Sequence, residues 1–346
     1  MRAALYRQTG PSSVLSVEEL AVPEPGAGEV RVRVAFSGVN PTDWKSRSGA
    51  TGGGPLAHGF QVPHQDGAGE VDAIGPGVSE LRVGQRVWVY LAAAFGNCWG
   101  TAAEYCVVPA ERALPLPDGA TFELGASLGV PAVTAAHCLG LGRGPRAVAG
   151  ANVLVAGGAG AVGHFAIQLA KQAGARVAAT VSTEAKAELA RAAGADLVVN
   201  YRQPGAADQL KSFAPRMDRI VEVALGANMD LDLALAGPGT VISVYASEAS
   251  DPVVPTRRFM SANAAVHYLL LYGVPKAELA EAVAWTSSAL GAGVLTELPV
   301  QRFGLEDVGA AQDAVEHGAV GKVVLGTGWE GNAGVPVFRH GQANAQ

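Results

Sequence analysis

Apolar and polar positions along this chain follow two successive periods. Up to about residue 125 they alternate in short runs. Val30, Val32, Val34 and Phe36 take turns with Arg31, Arg33 and Ala35, as in a strand with one buried face. Residues 70–74, 86–90 and 103–108 read as further short strands between Gly and Pro punctuation. Residues 48–54, SGATGGG, read as the most flexible loop. This half is expected to be a compact, barrel-like β structure. From about Thr121 the period becomes helical, and strand then alternates with helix. Strands are expected at 153–156, 176–181, 197–200, 219–223 and 240–244, with a sixth over 264–271; helices between them end at glycines such as Gly174 and Gly194. Such alternation predicts an α/β fold with a doubly wound parallel sheet. Beyond it come a helix at 276–290, a strand at 298–303, a helix at 305–317, a strand at 322–325 and an irregular tail at 328–346. Periodicity leaves open whether this closing β-α-β extends the parallel sheet or returns to the first half.

The most informative stretch is 152–174, NVLVAGGAGAVGHFAIQLAKQAG. Val153, Leu154 and Val155 form a run suited to a strand buried on both faces, and Val162, Phe165, Ala166, Leu169 and Ala170 recur at helical spacing. Between them stand Gly158, Gly160 and Gly163, spaced as in dinucleotide-binding turns. There, one glycine allows the tight turn, the next lets backbone approach a pyrophosphate, and the last lets helix pack on strand. The helix N-terminus then offers free N–H groups to phosphate. With 45 glycines in 346 residues, the bare spacing arises by chance about 0.7 times in such a chain. Gly326, Gly328 and Gly331 repeat it without a helical pattern behind them. Only the first copy has strand before and helix after, so context carries the inference.

Length predicts two domains. The net charge of −6 comes without a basic block, which argues against nucleic acid or an anionic membrane as partner. Cys98, Cys106 and Cys138 are odd in number and lack CxxC spacing, so neither a disulfide framework nor a zinc knuckle is expected. A reducing, cytoplasmic setting follows as an expectation. MRAALYRQTG has no apolar core for a signal peptide, and no apolar run approaches a membrane span.

With a β-rich first half, a mid-chain nucleotide fold and GVNPTDWKSRSG at 38–49, the chain resembles the medium-chain dehydrogenase/reductase superfamily. Within it, the chain is most similar to the zinc-independent quinone oxidoreductases of the zeta-crystallin branch. GTAAEYCVVPAE at 100–111, LGVPAVTAAHCL at 128–139, GGAGAVG at 157–163 and GKVVL at 321–325 support this, and the resemblance covers roughly residues 1–326. It implies a GroES-like β-barrel catalytic domain over 1–125, completed by about 295–346, and a Rossmann NADP-binding domain over 126–294. It also implies a homodimer paired through the edge strand at 264–271.

Catalytic zinc needs three protein ligands and an open position. By that resemblance the positions that carry it in the zinc-bearing branch are Asn40, Gln65 and Val130 here; His64 and Asp66 flank the middle one as a displaced alternative, but two neighbours cannot replace three ligands, and the region of the structural zinc lobe offers Cys98 alone. No metal is therefore expected. Without that Lewis acid, alcohol oxidation is disfavoured and reduction of an electrophilic acceptor remains.

An NAD-selective fold ends its second strand with an acid that bonds the ribose 2′-hydroxyl and repels a 2′-phosphate. Here that strand ends Ala179, Thr180, Val181, Ser182, without one. The resemblance assigns Ser182 and Lys186 to the 2′-phosphate, Tyr201 to the adenosine, and Gly158, Ala159, Gly160, Ala161, Val162 and Gly163 to the pyrophosphate. It puts Asn40 and Thr134 near the reactive half of NADPH, and Leu225, Val244 and Tyr245 along its nicotinamide. Asn40 is the candidate catalytic residue, its amide positioned toward a substrate carbonyl; a plain cap on the turn before Pro41 is the alternative. Trp44, Phe95 and Trp99 are candidates for the substrate wall. The tyrosine that some related enoyl reductases carry after the NP motif has no counterpart at 45–59. The leading expectation is an NADPH-dependent quinone oxidoreductase. An NADPH-dependent enone or alkenal double-bond reductase is the rival, and a non-catalytic NADPH-binding protein the reading from another class.

Overall fold

A computed structural model describes residues 1–52, 55–248 and 250–329. Its strands fall mainly into two large sheets. One has six strands, all parallel, in the order Leu197–Asn200, Arg176–Val181, Asn152–Val155, Arg219–Glu222, Val241–Val244 and Ala265–Tyr268. Chain order is thus third, second, first, fourth, fifth, sixth. The winding reverses between Asn152–Val155 and Arg219–Glu222, and in such sheets the ligand crevice lies outside the carboxyl ends of the strands at that reversal. Val153, Leu154 and Val155 are at most 1% exposed because helices cover both faces.

The other sheet runs Val300–Gly304, Lys322–Gly326, Glu29–Gly38, Asp66–Ile74, Arg86–Val89, Ala113–Pro115, with Tyr105–Pro109 also paired to Glu29–Gly38. Lys322–Gly326 lies antiparallel to Glu29–Gly38, with Val324 opposite Gly38. The closing β-α-β therefore returns to the first half, which periodicity had left open. Glu29–Gly38 outruns the expected 30–36, and its register shifts between Val34 and Phe36, where the alternation fails and Ala35 turns inward.

Several expectations need correction. Residues 264–271 shorten to Ala265–Tyr268, because Leu271–Gly273 closes a 3-10 turn. Residues 305–317 divide into a 3-10 turn, Leu305–Asp307, and a helix, Val308–Glu316. Ser48 ends a helix, Pro41–Ser48, instead of starting a loop, and residues 53 and 54 lie outside the described set. The expected tail, apart from Gly328 and Trp329, also lies outside it, as does Gly331 of the second glycine triplet. The antiparallel pair Arg2–Leu5 and Ser16–Glu19 was not anticipated; Ala3, Ala4 and Leu5 are all buried in succession, so no alternation marks that strand.

One helix, Phe122–Gly140, ties the two sheets together, packing against Asp66–Ile74 on one side and against Val241–Val244 on the other. Thr121 caps it by accepting from Leu124 N at 3.0 Å. It is long and apolar enough to cross a membrane, contrary to the expectation of no such run, but 89% of its apolar window is buried in the protein. It is a core helix.

Candidate active site

The turn after Asn152–Val155 divides its labour differently from the expectation. The left-handed residue is Gly157 (φ 69°), one before the triplet. Gly158 instead serves packing, since a Cβ there would stand 2.8 Å from Ala179 Cβ. Gly160 meets only Gly157 O, at 3.3 Å, so the space over it is open. At Gly163 a Cβ would come within 2.3 Å of Gly157 O, and its absence lets the helix Ala161–Gln172 start against the turn. Among the described residues no side chain caps that helix. Its first N–H groups, with Ala159, Ala161 and Val162 around them, form a cradle of the kind that holds phosphate. The site thus fits a dinucleotide by its own backbone.

At the ends of the second and third strands the other three residues gather. Thr183 caps the helix Glu184–Ala192 by accepting from Lys186 N at 3.3 Å. Lys186 is half-buried and, among the described residues, forms no ion pair. Tyr201 N donates to Val181 O at 3.1 Å, which ties the Tyr201 loop to the strand end just before Ser182; its ring is 46% exposed.

Further along the same carboxyl edge, Tyr245 N donates to Glu222 O at 3.1 Å. Tyr245 is half-buried, whereas Leu225 and Val244 are core residues, packed with Ile220 and Met229 on the far face. What they offer at the crevice is backbone. Thr134 is buried in the connecting helix.

Asn40 is 2% exposed and precedes the helix Pro41–Ser48. Its backbone N donates to Asp43 Oδ2 at 2.7 Å, the Asp43 side of a capping box at the start of that helix. Its side chain reaches further: Nδ2 donates to Asp66 Oδ2 at 2.7 Å, and Oδ1 accepts from Lys322 Nζ at 2.7 Å. Lys322 also donates to Val39 O at 3.0 Å, and Asp66 Oδ1 accepts from Val130 N at 2.8 Å. Gly129 makes the last contact possible, since a Cβ there would stand 2.1 Å from Asp66 Oδ1. Asp43, Asp66 and Lys322 are 4%, 0% and 3% exposed. Burial raises the Asp66 carboxyl to about 6, against the pull of Lys322 and its two hydrogen bonds. Burial and neighbouring Asp66 raise Asp43 well above the carboxylate range, and burial lowers Lys322.

His64 beside them is buried at φ 76°, a left-handed conformation unusual for a non-glycine residue. Arg47 Nε donates to Gln312 Oε1 at 2.7 Å, so Gln312 Nε2 donates to His64 Nε2 at 3.2 Å. That leaves the proton on Nδ1, which donates to Ser37 Oγ at 2.9 Å; Ser37 then donates to Thr101 Oγ1, and Thr101 to Asp66 O. Burial pushes His64 down to about 3, so it stays neutral. Sequence reasoning singled out neither Lys322 nor Asp43, Arg47 or Gln312. GKVVL held the one available signal, a lysine opening an otherwise apolar strand.

The aromatic candidates are dispersed. Trp44 is half-buried on the helix after Asn40, Trp99 packs edge-to-face on Phe60 at 5.4 Å, and Phe95 is 64% exposed with the Arg112 guanidinium 4.7 Å from its ring centre.

Comparison with known proteins agrees with this anatomy. Residues 26–118 match an alcohol dehydrogenase GroES-like domain, and residues 161–288 match the domain described as zinc-binding dehydrogenase. The chain is 30% identical to a quinone oxidoreductase of Sus scrofa over 325 residues, 93% of this chain and 96% of that one. It is 31% identical to the quinone oxidoreductase of Lama guanicoe over 330 residues, 94% and 97% of the two chains. A solved mycobacterial quinone oxidoreductase is similar at a TM-score of 0.78 and 30% identity, covering 94% of this chain and 99% of its own. A mycobacterial protein complexed with NADPH is similar at 0.78 and 29% over the same shares, and an NAD-dependent alcohol dehydrogenase at 0.82 and 28%, over 95% and 100%. A Rossmann-type parallel sheet with a glycine turn suited to a dinucleotide, a GroES-like sheet beside it and near-complete coverage by these relatives lead to one assignment: the chain belongs to the quinone oxidoreductase branch of the medium-chain dehydrogenase/reductase family and is an oxidoreductase.

Proposed function

We propose that this protein is an NADPH-dependent reductase that reduces a quinone without a metal ion. The observation that carries NADPH is the second strand, which ends in Val181 and Ser182 without an acid and is followed by a half-buried Lys186 that has no carboxylate partner among the described residues. When bound, NADPH supplies a hydride to an electron-poor acceptor. The glycine cradle and the uncapped helix over 161–172 hold its pyrophosphate, with Ser182, Lys186 and Tyr201 at its adenosine end. The working division is a nucleotide unit over 126–294 and a catalytic unit over 1–125, completed from about 295 onward.

The quinone assignment is supported by the relatives of about 30% identity that bear that name. At the reacting end, Asn40 keeps one amide hydrogen beyond the one given to Asp66. That hydrogen is the donor for the acceptor's carbonyl oxygen, where negative charge grows as the carbonyl is reduced. Lys322 and Asp66 fix which end of the amide faces outward, and Trp44, on the helix that follows Asn40, is the aromatic placed nearest to it in the chain. Asn40, Gln65 and Val130 are a poor donor set for zinc. Val130 has no side-chain donor, and Asn40 Oδ1 already accepts from the Lys322 ammonium, a cation where a dication would have to sit.

The edge strand Ala265–Tyr268, with Tyr268 60% and Leu270 69% exposed, fits pairing with a second copy in a homodimer. Three free, buried cysteines fit a reducing cytoplasm. The test is NADPH oxidation by the purified enzyme against a panel of quinones and enones, with metal analysis alongside. Turnover of quinones by zinc-free protein is expected. Turnover of enones alone transfers the assignment to a double-bond reductase, and NADPH binding with no turnover makes the protein a non-catalytic binder.

A further inference from the structure

The turn Leu271–Gly273 follows the sixth parallel strand, on the same carboxyl edge as Tyr245. From it Tyr272 reaches across to the helix Pro41–Ser48, and its Oη lies 2.9 Å from Thr42 Oγ1. That contact joins residues 230 apart in the chain and brings a phenol from the nucleotide sheet to within two residues of Asn40. Asp43 and Asp66 both act on it electrostatically, so it belongs to the same polar floor. Burial and those two carboxylates hold it in the O–H form, well above the ordinary range of tyrosine.

The other titratable groups of that floor are poorly placed to exchange a proton with a ligand. Tyr6, Asp43, His64, Asp66 and Lys322 are all at most 5% exposed. Lys322 and Asp66 are committed to Asn40, Val39 and Val130, and both ring nitrogens of His64 are in use. Tyr272 is half-buried, and its partner is a hydroxyl that donates or accepts equally well.

We infer that Tyr272 is the proton donor of the reaction, its hydroxyl touching the acceptor oxygen beside the Asn40 amide. This rests on the reductase reading above. After the acceptor has gained a hydride from NADPH, its oxygen carries a negative charge. The Tyr272 O–H bond breaks, an O–H bond forms on the product, and the phenolate regains a proton from solvent through the Thr42 hydroxyl. With a quinone the product is the hydroquinone; with an enone it is the enol, which relaxes to the saturated ketone.

The experiment compares the parent, Tyr272→Phe and Thr42→Val, each saturated with NADPH, using 1,4-naphthoquinone and but-3-en-2-one. A positioned general acid contributes on the order of 100-fold. Tyr272→Phe is therefore expected to lower kcat by about 10- to 100-fold, to abolish the solvent deuterium isotope effect on kcat, and to leave NADPH affinity by fluorescence titration unchanged. Thr42→Val is expected to fall about 3- to 10-fold, since only the relay is lost. A readout apart from turnover is binding of 4-nitrophenolate to the NADP⁺ complex, expected to weaken about 10-fold in Tyr272→Phe. If the parent turns over and Tyr272→Phe keeps kcat within about 2-fold, this role is overturned while the reductase reading stands. If NADPH affinity falls together with kcat, the hydroxyl is a strut of the cleft and the role is again overturned. A parent that oxidises NADPH with neither acceptor overturns the reductase reading itself, and this role with it.

Discussion

Lys322 Nζ donates to Asn40 Oδ1 at 2.7 Å, across 282 residues of chain. This bond joins Lys322–Gly326, in the mixed sheet, to the residue that opens the helix Pro41–Ser48. It places a cation among two buried carboxyls, Asp43 and Asp66, and it decides which way the Asn40 amide faces. Remove the ammonium and Oδ1 loses that donor, so the bond from Nδ2 to Asp66 is left to orient the amide. Asp66 also loses the charge that pulls its carboxyl down toward about 6.

Lys322→Met therefore has two expected consequences. Taking one partner from a buried charge cluster destabilises by about 3 to 5 kcal/mol, read as a lower urea midpoint. In the parent, quinone turnover is expected to fail as pH drops through about 6, because a protonated Asp66 accepts less well from Asn40 Nδ2 and Val130 N. In Lys322→Met that acid limb moves to higher pH. An unmoved limb in a folded variant would show that Asp66 does not set it.

Lys186 makes cofactor choice testable on a single side chain. It lies in the first turn of a helix, half-buried and without an acid to pair with among the described residues. A charge-assisted bond to a 2′-phosphate contributes about 1.5 to 3 kcal/mol. Lys186→Ala is expected to weaken NADPH on the order of 10-fold or more while sparing NADH. Equal weakening of both coenzymes in fluorescence titrations would remove Lys186 from the 2′-phosphate.

How legible all this was depended on what kind of signal each element carries. Val153–Val155 and the spacing after Gly163 reflect burial of a strand and of one helix face, and burial writes itself into local periodicity. The helix Pro41–Ser48 does not, because its buried positions are Asp43 and Arg47, both ionisable residue types. Its inward face is held by hydrogen bonds to Asn40, Gln312 and Gly10 instead of apolar contact. The Lys322–Asn40 and Tyr272–Thr42 contacts depend on topology, since no local pattern links residues 282 or 230 apart. Even the glycine turn was only half readable. Its spacing marked the place, but the left-handed position fell to Gly157, outside the triplet.

A second carboxyl pair bears on stability instead of chemistry. Glu222 ends the fourth parallel strand, and Asp232 faces it from the helix Leu225–Leu235; both are 0% exposed. Glu222 Oε1 accepts from Ala224 N and Asn228 Nδ2, bonds that favour a carboxylate. Asp232 then titrates last, pushed from 3.8 up to about 9 by burial and by the charge on Glu222. A carboxyl whose folded value is raised leaves the native chain holding a proton that the unfolded chain releases. Its stabilising contribution is thus complete below pH 3.8 and drains away as pH rises toward about 9. Asp232→Asn keeps the shape and removes the titration. The expected result in urea denaturation is a variant more stable than the parent by about 1 to 3 kcal/mol at pH 8. The difference should shrink toward pH 5, where the parent's Asp232 is protonated in more of the unfolded chains. A gap that stays constant or widens on acidification would place the shared proton elsewhere.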